Sequence, residues 1–233
     1  MEHGNKKLRH ELKYFINNYE YSYLKKRLEF GMNKDKNSVI DEGYHVRSLY
    51  FDDIYDSALN EKEWGIFKRK KYRIRIYNVS DCIIKLEKKS KYGQYIRKDT
   101  VNITKDRFYM LVDGEHQLES SDNELLRELY IEKKTRLLRP TVIVDYDREA
   151  YISEAGNVRI TFDKNLRACI NSYDIFDDKI ATKRVFSEPK MIMEIKYDSF
   201  LPTHIRNLIQ ICNHNISQAS KYVMCRKAIS SFA

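Results

Sequence analysis

The sequence predicts an α+β fold, an antiparallel eight-stranded β-barrel with a polar lumen and helices packed outside, and three observations carry that expectation. In the segment 71–77, Lys71, Arg73, Arg75 and Tyr77 fall on one face at a spacing of two, and Tyr72, Ile74 and Ile76 fall on the other. The segment 82–89 repeats the pattern, with Lys85, Glu87 and Lys89 opposed to Cys82, Ile84 and Leu86. More segments of this kind recur in hairpin order, without a βαβ rhythm or a repeat period. A wet outer face usually mixes signs with small polar residues. These faces are more charged than their backs are oily, so the charged side is expected to point inward.

In chain order, Arg9 to Phe15 alternates as a strand and stops at Asn17-Asn18, and Tyr23, Leu24, Leu28 and Phe30 give 19–30 a helical spacing. Tyr44 to Phe51 is a second strand, closed by Asp52-Asp53, and 54–62 is a short helix. The basic hairpin follows, with Asn78, Ser80 and Asp81 as turn residues. In the next strand, 95–103, Tyr95, Arg97, Asp99 and Val101 share a side. Phe108, Leu111 and Val112 mark one helix. Leu125, Leu126, Leu129, Leu137 and Leu138 mark a longer one, with Ser121 or Asp122 as its N-cap. Segments 141–152 and 158–162 form a hairpin around Glu154 to Asn157. Residues 165–188 read as loop, 190–197 as the last strand, and 202–214 and 217–230 as two helices. No Gly-, Ser- or Pro-rich linker interrupts the 233 residues, so a single domain, 1–233, is expected.

Hydrophobic content of 42% suits a folded globule, and a net charge of +9 calls for an anionic partner. No signal peptide or bilayer-length apolar run is visible, and the four cysteines form no CxxC pair, which points to a cytoplasmic chain with reduced thiols. With seven glycines and no GxxxxGK[ST] or GxGxxG, there is no backbone cradle for phosphate. Side chains must hold any phosphate here. No HExxH or GxSxG appears, and the six histidines are scattered.

What the chain offers instead is basic residues at alternate strand positions: Lys13, Arg73, Arg75, Lys85, Lys89, Arg97, Arg159 and Lys196, with Arg148 at a strand end and Lys221 on the last helix. Glu11, Glu87 and Glu194 are threaded among them. Carboxylates inside a nucleic-acid stripe would repel its backbone. Facing a polyphosphate, the same carboxylates could hold a hard divalent cation, Mg²⁺ or Mn²⁺, on oxygen. Any single member could equally be half of a surface salt bridge; the joint pattern is more specific.

Glu11-x-Lys13, Arg73-x-Arg75, Leu86-Glu87-Lys88-Lys89, Met193-Glu194-Ile195-Lys196 and Ser220-Lys221-Tyr222, in that order, resemble the triphosphate tunnel metalloenzyme (CYTH-like) superfamily, and within it the VTC-type polyphosphate polymerase domain. The resemblance runs from about Arg9 to Arg226 and implies a tunnel barrel that transfers the γ-phosphate of ATP to a growing polyphosphate chain, releasing ADP. It implies Lys13, Arg73, Arg75, Lys89, Arg97, Arg148, Arg159, Lys196 and Lys221 as phosphate ligands, the catalytic subset being Arg73, Arg75, Lys89, Lys196 and Lys221. Glu194 would be the metal carboxylate, flanked by Glu11 and Glu87. Two positions depart from the pattern. Arg9 stands where the superfamily's ExExK has its first Glu, which favours the polymerase branch. Gln218 stands where eukaryotic polymerase domains carry a further Lys. The expected partners are ATP or another nucleoside triphosphate and inorganic polyphosphate, with no nucleic acid. The competing readings are a metal-dependent tripolyphosphate or nucleoside-triphosphate hydrolase, and a non-catalytic polyanion-binding module in which some of the 18 tyrosines stack on bases.

Overall fold

The computed structural model describes residues 10–37, 43–93, 95–114, 123–169, 172–210 and 216–230. In chain order the elements are β1 (His10–Asn17), α1 (Asn18–Gly31), β2 (Asn33–Lys34), β3 (Tyr44–Asp52), α2 (Ser57–Glu63), β4 (Lys68–Tyr77), β5 (Ser80–Tyr92), β6 (Tyr95–Ile103), α3 (Lys105–Asp113) and α4 (Glu124–Arg136). They continue as β7 (Arg139–Ser153), β8 (Val158–Cys169), β9 (Thr182–Arg184), β10 (Lys190–Tyr197), α5 (Thr203–Leu208) and α6 (Lys221–Ser230).

Local chemistry sets the boundaries. Asn17 ends β1 and starts α1 through a capping box, its Oδ1 accepting from Glu20 N at 3.0 Å while the Glu20 carboxylate accepts from Asn17 N at 2.8 Å. Asn78 and Val79 both take positive φ, 52° and 53°, in a two-residue turn that pairs Tyr77 with Ser80. The Asn78 side chain pins that turn by accepting from His45 N at 2.9 Å. Asn123 caps α4, and the two residues expected in that role, Ser121 and Asp122, lie outside the described residues. The helix stops at Arg136, because Leu137 adopts the left-handed conformation at φ 53°. Part of the expected 165–188 loop is strand: β8 runs on to Cys169 and β9 pairs with it. The last two helices are shorter than their periodicity suggested, at Thr203–Leu208 and Lys221–Ser230.

The sheet is antiparallel, and it is open. Its hydrogen-bonded order is β1-β10-β8-β7-β3-β4-β5-β6, with β2 joined to β7 and β9 to β8, so the end strands β1 and β6 have no pairing with each other among the described residues. The expected closed barrel and its lumen are corrected accordingly. Alternation with period two specifies which face of a strand is buried; it carries no information on whether two sheet edges meet. Both ends hold groups that oppose further pairing. Ser217 N donates to the Lys13 carbonyl at 2.7 Å beside β1, and β6 presents Arg97 and Lys98, 61% and 49% exposed, as edge charges.

The chain divides into two compact units, one of residues 1–44, 146–166 and 186–219, the other of 45–145, 167–185 and 220–233. In the first, Ile16, Ile160, Phe162, Met193 and Ile195 form the apolar face of the strands, on which Leu24 and Leu28 of α1 and Ile205 of α5 pack. In the second, Leu49, Phe51, Tyr72, Ile74, Ile76 and Leu86 meet Phe108 and Leu111 of α3 and Leu125, Leu126 and Leu129 of α4. Each such side chain, once fully buried, stabilises by about 1.5–3 kcal/mol. The expectation that helices cover the apolar faces holds in both units, which leaves the charged faces on the other side of the strands.

Candidate phosphate-binding site

The second unit carries the longer run of charge. Strand register sets Tyr50 against Arg73 and Ser48 against Arg75 across β3 and β4, and Lys71, Arg73 and Arg75 against Lys89, Glu87 and Lys85 across β4 and β5. Directly opposed residues share a face. Arg73 Nε lies 2.6 Å from Glu87 Oε2, its Nη1 donates to Tyr50 OH at 2.8 Å, and Lys98 closes on Glu87 Oε1. Arg75 Nε donates to Ser48 Oγ at 3.0 Å, and Lys85 Nζ sits 5.6 Å from the centre of the Tyr77 ring. Glu87 is 1% exposed and Arg75 6%, so the centre of this face is shielded from bulk water, while Lys98 at its β6 edge is 49% exposed.

Electrostatics follows from that burial. Burial alone would raise the Glu87 carboxyl, but Arg73, Arg75 and Lys98 around it hold it well below the usual carboxylate range. Burial likewise opposes ionisation of the Tyr50 phenol, yet Arg73, Arg75 and Lys221 bring it below the usual tyrosine value. The depressed Glu87 has a stability consequence with a definite sign. Its contribution is complete above the unfolded-chain value near 4.3 and is lost as pH falls toward its lower folded value. Acid titration of folding from about pH 5 to about pH 2 is therefore expected to destabilise the wild type more steeply than Glu87→Gln. Equal slopes would mean that solvent already screens Glu87.

In the first unit, Glu11 opposes Lys196 and Lys13 opposes Glu194 across β1 and β10, while Lys196 opposes Arg159 and Glu194 opposes Thr161 across β10 and β8. Lys13 Nζ lies 2.7 Å from Glu11 Oε1, and Lys196 Nζ 2.7 Å from Glu194 Oε1. Arg148 forms a two-pronged bond to Asp163, Nε to Oδ1 at 2.6 Å and Nη2 to Oδ2 at 2.8 Å, and its Nη2 is 4.0 Å from Glu194 Oε2. Burial disfavours charge on Arg148, but Asp163 reverses this and holds the guanidinium ionised well above its ordinary value. Arg159 Nη2 reaches Asp35 Oδ2 at 2.7 Å and Tyr44 OH at 3.1 Å.

Most of the anticipated residues therefore lie on the charged faces: Glu11, Lys13, Arg148, Arg159, Glu194 and Lys196 in the first unit, and Arg73, Arg75, Lys85, Glu87 and Lys89 in the second. Lys221 opens α6 in the second unit. Arg97 is a correction. It opposes Ser90, and its neighbour Asp99 opposes Lys88, on the side that carries Leu86; the residue of β6 on the charged face is Lys98, opposite Lys89. A shift of one residue exchanges the faces of a strand. Arg97 instead pairs with Asp99 at 2.9 Å near solvent. Arg9 lies outside the described residues.

The partners that fix these cations, Tyr50, Ser48, Asp35 and Asp163, were not anticipated. For Asp163 a signal exists, because counting outward from a four-residue turn at 154–157 sets 148 against 163.

Among the described residues no group of three or more His, Cys, Asp and Glu side chains is placed to hold a metal. Glu87 is engaged by Arg73 and Lys98, which makes it a poor metal ligand. Glu194 is 6% exposed and directly opposes Thr161, whose buried hydroxyl has no hydrogen-bond partner among the described residues; a Mg²⁺ or Mn²⁺ ion held there would draw most of its oxygens from phosphate and water, with Glu11 diagonal to Glu194 in the β1–β10 register.

A family model for the VTC domain matches residues 8–230. The chain belongs to the VTC domain family. This VTC domain also resembles a solved candidate adenylate cyclase from Bacillus halodurans, with 15% identity over 87% of this chain and 86% of that one and a TM-score of 0.51, a likeness of fold alone. A conserved hypothetical protein from Pyrococcus furiosus aligns at 12% identity over 86% and 85% of the two chains, TM-score 0.41. A chain of the Schizosaccharomyces pombe Mediator head module aligns at 6% identity over 86% and 88%, TM-score 0.46. No curated protein matches the VTC domain described here. No helix among its described residues is long and apolar enough to cross a membrane.

Proposed function

We propose that this VTC-domain chain binds linear inorganic polyphosphate, or the triphosphate of a nucleotide, as a polyanion on the charged faces of its strands. The observation that carries the reading is the way the guanidinium groups are held. Arg73 is fixed between Glu87 and Tyr50, and Arg148 against Asp163, before any ligand arrives. Little side-chain entropy is then lost on binding, and ionised Arg groups in fixed orientation suit phosphate oxygens. Carboxylates within the same faces oppose any polyanion unless a divalent cation bridges to it, and a polyphosphate or triphosphate carrying Mg²⁺ or Mn²⁺ meets that condition.

A second reading adds chemistry to the same site, and the family match over residues 8–230 favours it. The terminal oxygen of a polyphosphate chain would attack the γ-phosphorus of ATP, the bond to the β-phosphate oxygen would break, and ADP would leave. Within the second unit Arg73, Arg75, Lys89 and Lys221 would position phosphates and neutralise their charge, and Lys196 would do so on the charged face of the first unit. A terminal phosphate is already anionic, so no general base is needed. A Mg²⁺ or Mn²⁺ ion at Glu194 would supply further neutralisation. Attack by water in place of the chain terminus would make the protein a hydrolase.

Calorimetric titration with tripolyphosphate and with a single-stranded DNA of equal charge separates the binding classes. Tripolyphosphate is expected to bind more tightly, and the reverse order would overturn the reading. Incubation with ATP and Mn²⁺, with polymer and orthophosphate both quantified, then separates transfer from hydrolysis and from binding alone.

A further inference from the structure

Lys71 shares the charged face of β4 with Arg73 and Arg75, but none of the motifs claims it. Its cross-strand neighbour is Lys89, so two cationic side chains occupy directly opposed positions of one face, a like-charge pairing that a shared anion would relieve. The Lys71 ammonium rests 4.4 Å from the centre of the Tyr222 ring. That ring is 1% exposed and stacks on Tyr50, 5.1 Å between centres, and Tyr50 is the phenol bonded to Arg73. Lys71 is thus built into the same side-chain array as the Arg73 step. The carboxylate acting on it is Asp52, whose two oxygens accept from the backbone N–H groups of Asp53, Ala58 and Leu59 and from Tyr222 OH.

We propose that Lys71 and Lys89 hold a further phosphate group of the bound chain, beyond the Arg73 step, and that Lys71 takes up a proton when that phosphate arrives. This rests on the polyphosphate reading above and adds a regulation to it. The charged groups facing Lys71 are Asp52 on β3, Lys62 on α2, Arg69 on its own strand and Lys89 on β5. Burial, reinforced by Lys62, Arg69 and Lys89 and opposed by Asp52, brings the Lys71 amine from its usual 10.5 down to about 7. A phosphate between the two lysines offsets their repulsion and favours the ammonium form. Binding therefore consumes protons, and affinity falls as pH rises through neutrality.

The test is calorimetric titration of tripolyphosphate at about pH 7 into wild type and Lys71→Arg, in buffers of different ionisation enthalpy. The ligand's own protons cancel in the difference between proteins. Wild type is expected to take up about half a proton more per ligand than Lys71→Arg, whose guanidinium stays charged. Between about pH 6.5 and about pH 8.5 wild type should lose about tenfold more affinity than this variant. Lys71→Gln, which cannot be protonated, should bind more weakly than wild type at the lower pH, and it serves as the comparison if the arginine does not fold. Equal proton uptake in wild type and both variants would overturn the role of Lys71 while leaving polyphosphate binding intact. Absence of tripolyphosphate binding in wild type would overturn both.

Discussion

Asp163→Asn is expected to lower folding stability by about 3–5 kcal/mol, because it removes the two-pronged counter-charge of a buried guanidinium and leaves only the more distant Glu194. The Asp163 side chain is 0% exposed and gives both oxygens to Arg148, which is itself 12% exposed and lies 5.2 Å from the centre of the Tyr146 ring. Arginine cannot escape by losing its proton, so the penalty has to appear in folding. An Asn at 163 would also turn one acceptor into a donor aimed at another donor. Urea denaturation should show a lower midpoint with an unchanged slope. Replacing both partners with apolar residues, Arg148→Met with Asp163→Leu, should recover much of the loss, since removing a whole buried pair is often close to neutral. A cost under about 1 kcal/mol for Asp163→Asn would place the pair with solvent-screened surface bridges.

How far the sequence reveals this molecule depends on which physical rule is asked. Alternation of Lys71, Arg73 and Arg75 with Tyr72, Ile74 and Ile76 reports strand faces faithfully, because the side-chain period of a strand is two and the apolar partners are buried at 2% exposure or less. Helix coverage of those faces follows from the same patterning in α1, α3 and α4. Closure of the sheet does not follow, since it depends on what occupies the two outer edges, and Lys13 O is bonded by a residue 204 positions away. Choosing Arg97 rather than Lys98 has a similar cause. Three of the four side chains at 96–99 are charged or long, so composition cannot settle the register that the β5 pairing imposes.

The candidate site was legible in its cations and much less so in what orients them. Basic residues at alternate positions stand out from a single strand, whereas Tyr50, Ser48, Asp35 and Asp163 become partners only when another strand is laid alongside. Lys71 is the clearest case. Its special environment comes from Lys89, Lys62 and Tyr222, which lie on three other elements. Pairing also changes what the carboxylates mean. Glu87, Glu11 and Glu194 are all ion-paired, and what distinguishes Glu194 is the buried, unbonded Thr161 hydroxyl opposite it, which makes it the position to test for metal.

Glu194→Gln should separate two effects that act in opposite directions. The wild-type carboxylate lies 2.7 Å from Lys196 and 4.0 Å from Arg148, so it reduces the positive field that a phosphate would meet. Without metal, its removal is expected to tighten tripolyphosphate binding about five- to tenfold, the size of one charge interaction of about 1 kcal/mol that remains after Lys196 and Arg148 have partly neutralised the carboxylate. With Mn²⁺ present, an anionic oxygen ligand is missing, and a hard cation loses affinity when a neutral amide replaces carboxylate. The Mn²⁺ dissociation constant in the presence of tripolyphosphate is expected to rise about tenfold or more, and any metal-dependent phosphoryl transfer should collapse with it. Titrating tripolyphosphate with and without Mn²⁺, alongside thermal melting to establish that the variant is folded, reads both arms. Tighter metal-free binding with unchanged Mn²⁺ affinity would leave Glu194 as an ion-pair partner of Lys196 alone. Unchanged binding in both arms would remove Glu194 from the phosphate site altogether, and the charged face around Lys13, Arg148 and Arg159 would then have to act without it.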